Sequence, residues 1–109
     1  MKKLKERKCK PCEDGAGRLN SAEIKIFLKD VPGWSLKNGE IQKTFTFKNF
    51  YETVSFVNAA AWIANVQDHH PEIEFGYKKC KIRYSTHSVK GLSENDFICA
   101  AQINALVQD

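Results

Sequence analysis

The 109-residue sequence has no apolar run that approaches the roughly 20 residues needed to cross a bilayer. No apolar segment follows its basic N-terminus, so the pattern of a signal peptide is also missing. Hydrophobic residues make up 42% of the chain, close to the ordinary share of a domain that folds around one core. These features argue against membrane insertion, and we expect one domain in the cytoplasm.

A second CxxC is missing, since the four cysteines include a single CxxC pair, Cys9 with Cys12. Such a pair can supply half of a tetrahedral zinc site or act as a redox pair, but no second CxxC completes a zinc site. Cys80 lies on a predicted strand and Cys99 in a predicted helix, where each is expected to be a small buried hydrophobic residue. Without a signal peptide, all four thiols are expected to be reduced.

Positive charge is concentrated at the N-terminus. Residues 1–10 carry six basic side chains against one glutamate, a local charge of +5, so the remaining chain carries −1 of the net +4. We expect residues 1–19, which contain the CxxC, to form a flexible basic arm, and residues 20–109 to form a single domain. A basic arm could contact nucleic acid or an acidic partner, but it is more often a solvated end, and nucleic-acid binding is not expected.

Cap and turn signals predict three helices and four strands. The helices are predicted at residues 20–29, at 49–67 and from 93 onward, each starting at a side chain that can cap it. Alternating apolar residues predict two hairpins, 34–47 and 72–86, the first with the type I′ dipeptide Asn38-Gly39. Hairpins imply an antiparallel sheet, so the predicted fold is α+β, with three helices on one face of four antiparallel strands, in the order α-β-β-α-β-β-α.

The predicted helix 49–67 is apolar over a wide arc. One stripe contains Phe50 and Val54, and a second beside it contains Phe56 and Ile63. Such a helix can bury one stripe on its own sheet and the other against another subunit. We therefore expect a homo-oligomer.

The three histidines are the candidate residues for catalysis or metal binding. His69 and His70 precede Pro71, which favours a helix end there, and the hairpin that follows returns the chain to bring His87 near them. Asp68 could accept a proton from an imidazole and fix its tautomer. Nucleophile-elbow and phosphate-loop motifs are missing.

Three interpretations of the histidines remain open on the pattern alone. They could cap a helix end and a strand end without any chemical role. They could bind a metal, although neither HxH nor HxxxH spacing occurs. They could also form a metal-free acid–base pocket, since the pKa of imidazole, ~6.5, permits proton transfer in both directions near neutral pH.

Longer motifs around the histidines resemble a known family. They are Asp68-His69-His70-Pro71-Glu72, Tyr77, Ser85-Thr86-His87 and Gly91-Leu92-Ser93-Glu94-Asn95-Asp96-Phe97, preceded by Pro32-Gly33-Trp34 and Phe45-Thr46-Phe47-Lys48-Asn49-Phe50. Together they are similar to the pterin-4a-carbinolamine dehydratase family over about residues 20–108. Cys9-Lys10-Pro11-Cys12 is similar to an N-terminal segment of many bacterial-type members. Animal members carry tryptophan at the position of Ile73, so a ring-stacking role there does not carry over.

The resemblance implies the same α+β fold, assembled as homodimers or homotetramers. It implies dehydration of 4a-hydroxytetrahydropterin to quinonoid dihydropterin and water, which recycles the cofactor of aromatic amino-acid hydroxylases. No metal or organic cofactor is implied. Some members of the family also bind a transcription factor, and related chains can serve in enzyme assembly, so a non-catalytic interaction protein is the alternative function.

The resemblance also implies roles for the site residues. His69 and His87 would be the acid–base pair, and His70 the third catalytic histidine, mainly binding and orienting the pterin. The further residues implied to bind substrate are Asp68, Ser85, Thr86 and Ser88. Two nearby residues have more ordinary interpretations: Trp34 is expected in the core rather than at the pocket edge, and Asp96 is expected to cap a helix three residues after Ser93.

Overall fold

The structure is a computed structural model that describes residues 2–12 and 17–107. Within these ranges the chain forms three α-helices, four strands and two single 3-10 turns. The elements are α1 (Ser21–Leu28), β1 (Ser35–Lys37), β2 (Glu40–Thr46), α2 (Phe50–Gln67), β3 (Glu72–Phe75), β4 (Lys79–Tyr84), α3 (Glu94–Leu106) and the 3-10 turns Leu4–Glu6 and His87–Val89. The predicted α+β fold and its element order are confirmed. None of the helices in the described ranges has both the length and the apolar character that crossing a bilayer requires.

The four strands form one antiparallel sheet in the order β1-β2-β4-β3. Asn38 and Gly39 join β1 to β2 with φ angles of +53° and +76°. Two consecutive positive φ angles are what a type I′ hairpin turn requires, and asparagine and glycine adopt them most readily. The dipeptide thus sets the register of the first hairpin, in which Leu36 lies opposite Ile41.

The core lies between one face of the sheet and the helices. The buried strand residues alternate with polar ones, as a sheet covered on one side requires; they are Ile41, Phe45, Cys80, Ile82 and Tyr84. Helix α3 is buried over most of its first three turns, through Phe97, Ile98, Cys99, Ala100 and Ile103. Each fully buried large apolar side chain contributes on the order of 1.5–3 kcal/mol. Trp34 is also buried, as expected, and its indole N–H donates to Asn104 Oδ1 at 2.9 Å.

Helix α2 buries a narrower face than its composition predicts. Its buried residues are Thr53, Phe56, Ala60 and Ala64. The first predicted stripe lies further out, with Phe50 exposed and Val54 only half-buried. The outer surface of the helix presents Tyr51, Trp62 and Val66 to solvent, with 83%, 67% and 47% of their surface exposed.

The N-terminal segment 2–12 lies against the domain in the structure, whereas its sequence predicts a flexible arm. Leu4 is buried in the core cluster, and Arg7 Nη1 is 2.6 Å from Glu94 Oε2 on α3. Lys10 N donates to Asn95 Oδ1 at 3.0 Å, and Asn95 Nδ2 donates to Lys10 O at 2.6 Å. Most side chains of this segment are charged, and it packs through one buried leucine and through backbone hydrogen bonds. Its sequence therefore has no hydrophobic periodicity that would predict this packing. Residues 13–16 of the expected arm lie outside the described ranges.

Candidate active site

The end of helix α2 determines where the first two histidines lie. Asp68 adopts the left-handed conformation, with φ 52° and ψ 46°, and its N–H donates to Ala64 O. Aspartate tolerates this conformation better than most residues, which makes it a suitable helix terminator. His69 N then donates to the same carbonyl at 3.1 Å. The reversal turns the His69 side chain inward, leaving it 12% exposed, whereas His70 is exposed.

The imidazole of His69 is held by a buried carboxylate. Its Nε2 lies 2.6 Å from Asp96 Oδ1, and the Asp96 side chain has no solvent exposure. Asp96 Oδ2 accepts hydrogen bonds from Thr86 Oγ1 at 2.8 Å and from Ser93 N at 3.0 Å. Both carboxylate oxygens are therefore engaged, and Asp96 has a fixed orientation towards His69.

Asp96 makes a contact that its predicted capping role does not include. The expectation of a capping role is confirmed by its bond to Ser93 N. The same side chain also binds His69, which is 27 residues away in sequence and on a different element. Capping uses only one carboxylate oxygen, so the second remained available. The resemblance motif includes Asp96, and this was the signal that could have identified it.

The surroundings of His69 favour its protonated form. Burial alone lowers the pKa of His69, but the hydrogen bond and negative charge of Asp96 outweigh it, with smaller contributions from Cys9 and Asp68, and the net pKa is raised. The ring also stacks on Tyr84, with centroids 5.7 Å apart and planes inclined by 7°. Burial raises the pKa of Tyr84, so its phenol stays neutral. His69 therefore holds its proton to a higher pH than a free imidazole.

His87 begins the 3-10 turn that follows β4. Thr86 N donates to Gly91 O at 2.8 Å, and Lys90 closes the 3-10 turn in the left-handed conformation, with φ 52°. These bonds fix the backbone at His87, whose side chain is exposed. Ser85, the residue before Thr86, is half-buried, and its hydroxyl donates to Glu40 Oε2 at 3.4 Å.

Two neighbouring cavities contain most of the predicted site residues. The first, of about 390 Å³, is lined by Asp68, His69, Thr86 and Ser88. The second, of about 310 Å³, is lined by Ser85, Thr86 and His87. Thr86 lines both cavities. His70 lines neither of them.

The N-terminal segment forms one wall of the cavity beside His69. Lys8, Cys9, Lys10 and Cys12 line it together with Asn95 of α3. The sequence carried no signal for this placement beyond the CxxC itself. In the described residues, no group of three or more His, Cys, Asp or Glu side chains is arranged as a metal site.

Comparison with known proteins assigns the chain to a family. Residues 17–106 match the family model described as pterin 4 alpha carbinolamine dehydratase. A Nitrosomonas eutropha protein, provisionally named a pterin-4-alpha-carbinolamine dehydratase, is 50% identical over 105 residues, 95% of this chain and 93% of the relative. A Legionella pneumophila (strain Corby) protein with the same provisional name is 47% identical over 109 residues, 97% of this chain and 96% of the relative.

Two solved structures share the fold. The first is a transcriptional coactivator/pterin dehydratase from Brucella melitensis, with a TM-score of 0.80 and 32% identity over 84% of this chain and 99% of that one. The second is a pterin dehydratase-like protein identified as a RuBisCO assembly factor in the alpha-carboxysome, with a TM-score of 0.59 and 25% identity over 70% of this chain and 88% of that one. The resemblance found in the sequence is confirmed: this chain belongs to the pterin-4-alpha-carbinolamine dehydratase family.

Proposed function

We propose that this protein is a hydro-lyase that converts 4a-hydroxytetrahydropterin to quinonoid dihydropterin and water. Membership of the family over residues 17–106 is the observation that carries the proposal. The bond between His69 and Asp96, beside a cavity of about 390 Å³, provides a suitable acid–base group. The physiological role would be to recycle the pterin cofactor of an aromatic amino-acid hydroxylase.

The reaction needs two proton transfers. The departing 4a-hydroxyl must receive a proton, and the pterin ring must lose one as the C=N bond forms. In our proposal His69 supplies the first proton. Its Nε2 is occupied by Asp96, so Nδ1 is the nitrogen left for substrate. The raised pKa of His69 favours a proton on that nitrogen.

His87 is proposed to accept the second proton. It lines the neighbouring cavity, and Thr86 lines both cavities. A pterin lying across Thr86 would have one imidazole towards each end of the reacting bond. Asp68, Ser85 and Ser88 would contact the substrate from the cavity walls. His70 is exposed and outside both cavities, so we propose for it only a weak orienting contact at the rim. This mechanism calls for no metal or organic cofactor.

The rate of 4a-hydroxytetrahydropterin dehydration, followed by ultraviolet absorbance in the presence of a chelator, tests the proposal. We expect His69→Ala and His87→Ala each to lose much of the ~10²–10⁴-fold that acid–base assistance supplies. His70→Ala is the matched control and should retain activity within a few-fold. Circular dichroism should show that all three variants are folded.

Two results would contradict this proposal. If well-folded wild type gives no acceleration over the spontaneous reaction, the alternative of a non-catalytic interaction protein takes its place; one structure of similar fold is named a RuBisCO assembly factor. If both alanine variants retain the wild-type rate, the activity stands but the histidine roles do not.

We further propose that the protein is a homodimer or homotetramer assembled through the outer face of α2. Tyr51, Trp62 and Val66 form an exposed apolar surface there, which is unusual for a helix facing water. Trp62→Glu should lower the mass measured by sedimentation equilibrium, while Lys48→Glu on the exposed surface just before the helix should not. An unchanged mass in Trp62→Glu would place the contact elsewhere.

A further inference from the structure

The sulfur atom of Cys9 lies beside a cysteine far from it in sequence. Cys9 Sγ is 3.7 Å from Cys99 Sγ, across a separation of 90 residues. Its CxxC partner makes other contacts: Cys12 Sγ accepts from Asn95 Nδ2 at 3.4 Å and donates to Lys10 O at 3.7 Å. The thiol pair in the structure is therefore Cys9 with Cys99, and not the pair that the CxxC spacing indicates.

The two thiols differ in access. Cys9 is half-buried and lines the cavity of about 390 Å³ beside His69, which a small oxidant can enter. Cys99 is fully buried in the middle of α3. An oxidant that enters the cavity therefore reaches the Cys9 thiol first. Cys99 lies next to Cys9 and can react with the oxidised Cys9 sulfur.

The two thiols also differ in acidity. The hydrogen bond with Cys99, helped by the nearby charge of His69, lowers the pKa of Cys9 against the opposing effect of burial. The same hydrogen bond together with burial raises the pKa of Cys99. Since the thiolate is the reactive form of cysteine, this order agrees with the order of access.

We propose that Cys9 and Cys99 form an oxidation site at which a hydroperoxide closes a reversible disulfide. The Cys9 thiolate attacks one peroxide oxygen, the O–O bond breaks, and the products are a Cys9 sulfenic acid and hydroxide, which takes up a proton to become water. The Cys99 sulfur then attacks the Cys9 sulfur, its proton goes to the departing hydroxyl, and a second water leaves. With hydrogen peroxide, two thiols lose two electrons and the two peroxide oxygens gain them.

Closure requires little rearrangement of the core. The sulfur atoms must approach from 3.7 Å to about 2.05 Å. Cys9 sits on the N-terminal segment, which has no regular structure there, and its backbone N–H is held by Gln67 Oε1 at 2.8 Å. The movement can therefore come from this segment while α3 stays in place. The disulfide would fasten residues 2–12 to α3 and fix one wall of the cavity.

The test uses full-length reduced protein and a small molar excess of hydrogen peroxide. We expect the intact mass to fall by about 2 Da for the two hydrogens lost, and non-reducing peptide mapping to show the Cys9–Cys99 linkage. Because the crosslink spans 90 residues, the midpoint of thermal unfolding should rise by roughly 10–20 °C. Dithiothreitol should reverse both changes.

Two variants provide the controls. Cys12→Ser should form the same linkage at the same rate, whereas Cys9→Ser should show neither the mass loss nor the rise in the unfolding midpoint. The half-buried position of Cys9 makes this variant safer for folding than one at the buried Cys99. A Cys9–Cys12 linkage, a crosslink between subunits, or oxidation that stops at a sulfenic or sulfinic acid on Cys9 would each overturn the proposal. None of these measurements depends on dehydratase activity.

Discussion

His69 and His87 occupy the two halves of the candidate site and are held in different ways. His69 is nearly buried, bonded to Asp96 at 2.6 Å and stacked on Tyr84. His87 is exposed, and the backbone bonds of its tight turn fix its position. The first ring is oriented by its side-chain neighbours and the second by the path of the chain. Changes to the neighbours should therefore affect His69 and leave His87 alone.

Asp96→Asn should have the largest effect, because it changes the surroundings of His69 and not those of His87. The amide cannot provide the negative charge that outweighs burial, so the pKa of His69 should fall. We expect a loss of roughly 10- to 100-fold in kcat/KM at neutral pH, a part of the ~10²–10⁴-fold supplied by acid–base assistance. The high-pH limb of the pH–rate profile should move to lower pH.

The pH profile separates this role from a structural one. A loss of rate at every pH, with the limb unmoved, would show that Asp96 only supports the fold as a helix cap. Ile98→Val, a small uncharged change at a buried position of the same helix, is a control for disturbance of α3.

Thr86→Val should have a smaller effect. Valine has nearly the same shape but cannot donate to Asp96 Oδ2, which the threonine hydroxyl reaches at 2.8 Å. The Ser93 hydroxyl lies 2.8 Å from the Thr86 hydroxyl and would also lose this hydrogen-bond partner. Buried polar groups left unsatisfied cost about 1–3 kcal/mol, so urea denaturation should show a loss of stability of that order. A variant as stable as wild type would mean that this network contributes little to the position of Asp96.

The smallest expected effect is a pH dependence of stability that belongs to His69. Its folded-state pKa is raised above the unfolded value of ~6.5. The stabilisation is therefore fully present below about pH 6.5 and is lost as the pH rises through the folded-state pKa. Thermal unfolding midpoints measured from pH 6 to pH 9 should fall more steeply for wild type than for His69→Gln. His87→Gln should follow wild type, and parallel curves for all three proteins would show that His69 carries no such linkage.

Local signals were sufficient for the architecture. Asn38-Gly39 predicted the first hairpin, Asn49 the start of α2, and Ser93 with Asp96 the start of α3, and each is found where expected. These features depend on residues within a few positions of one another. A short stretch of sequence is therefore enough to predict them.

Contacts between distant residues could not be predicted in the same way. The bond between His69 and Asp96 joins two helix ends, and the Cys9–Cys99 contact joins the N-terminal segment to α3. No periodicity encodes either pair. His70 shows the converse: adjacency to His69 suggested a shared pocket, but the left-handed turn at Asp68 directs one ring inward and leaves the other exposed.

The sequence by itself determined the α+β order, the antiparallel hairpins and the family, because caps, turns and motifs act over short stretches of chain. The tertiary structure decided which histidine is buried, which carboxylate holds it, and which cysteine faces Cys9. Those outcomes depend on how α2, α3 and the N-terminal segment pack together. Packing fixes the distances and the loss of solvent that change the pKa of a histidine or place two thiols side by side.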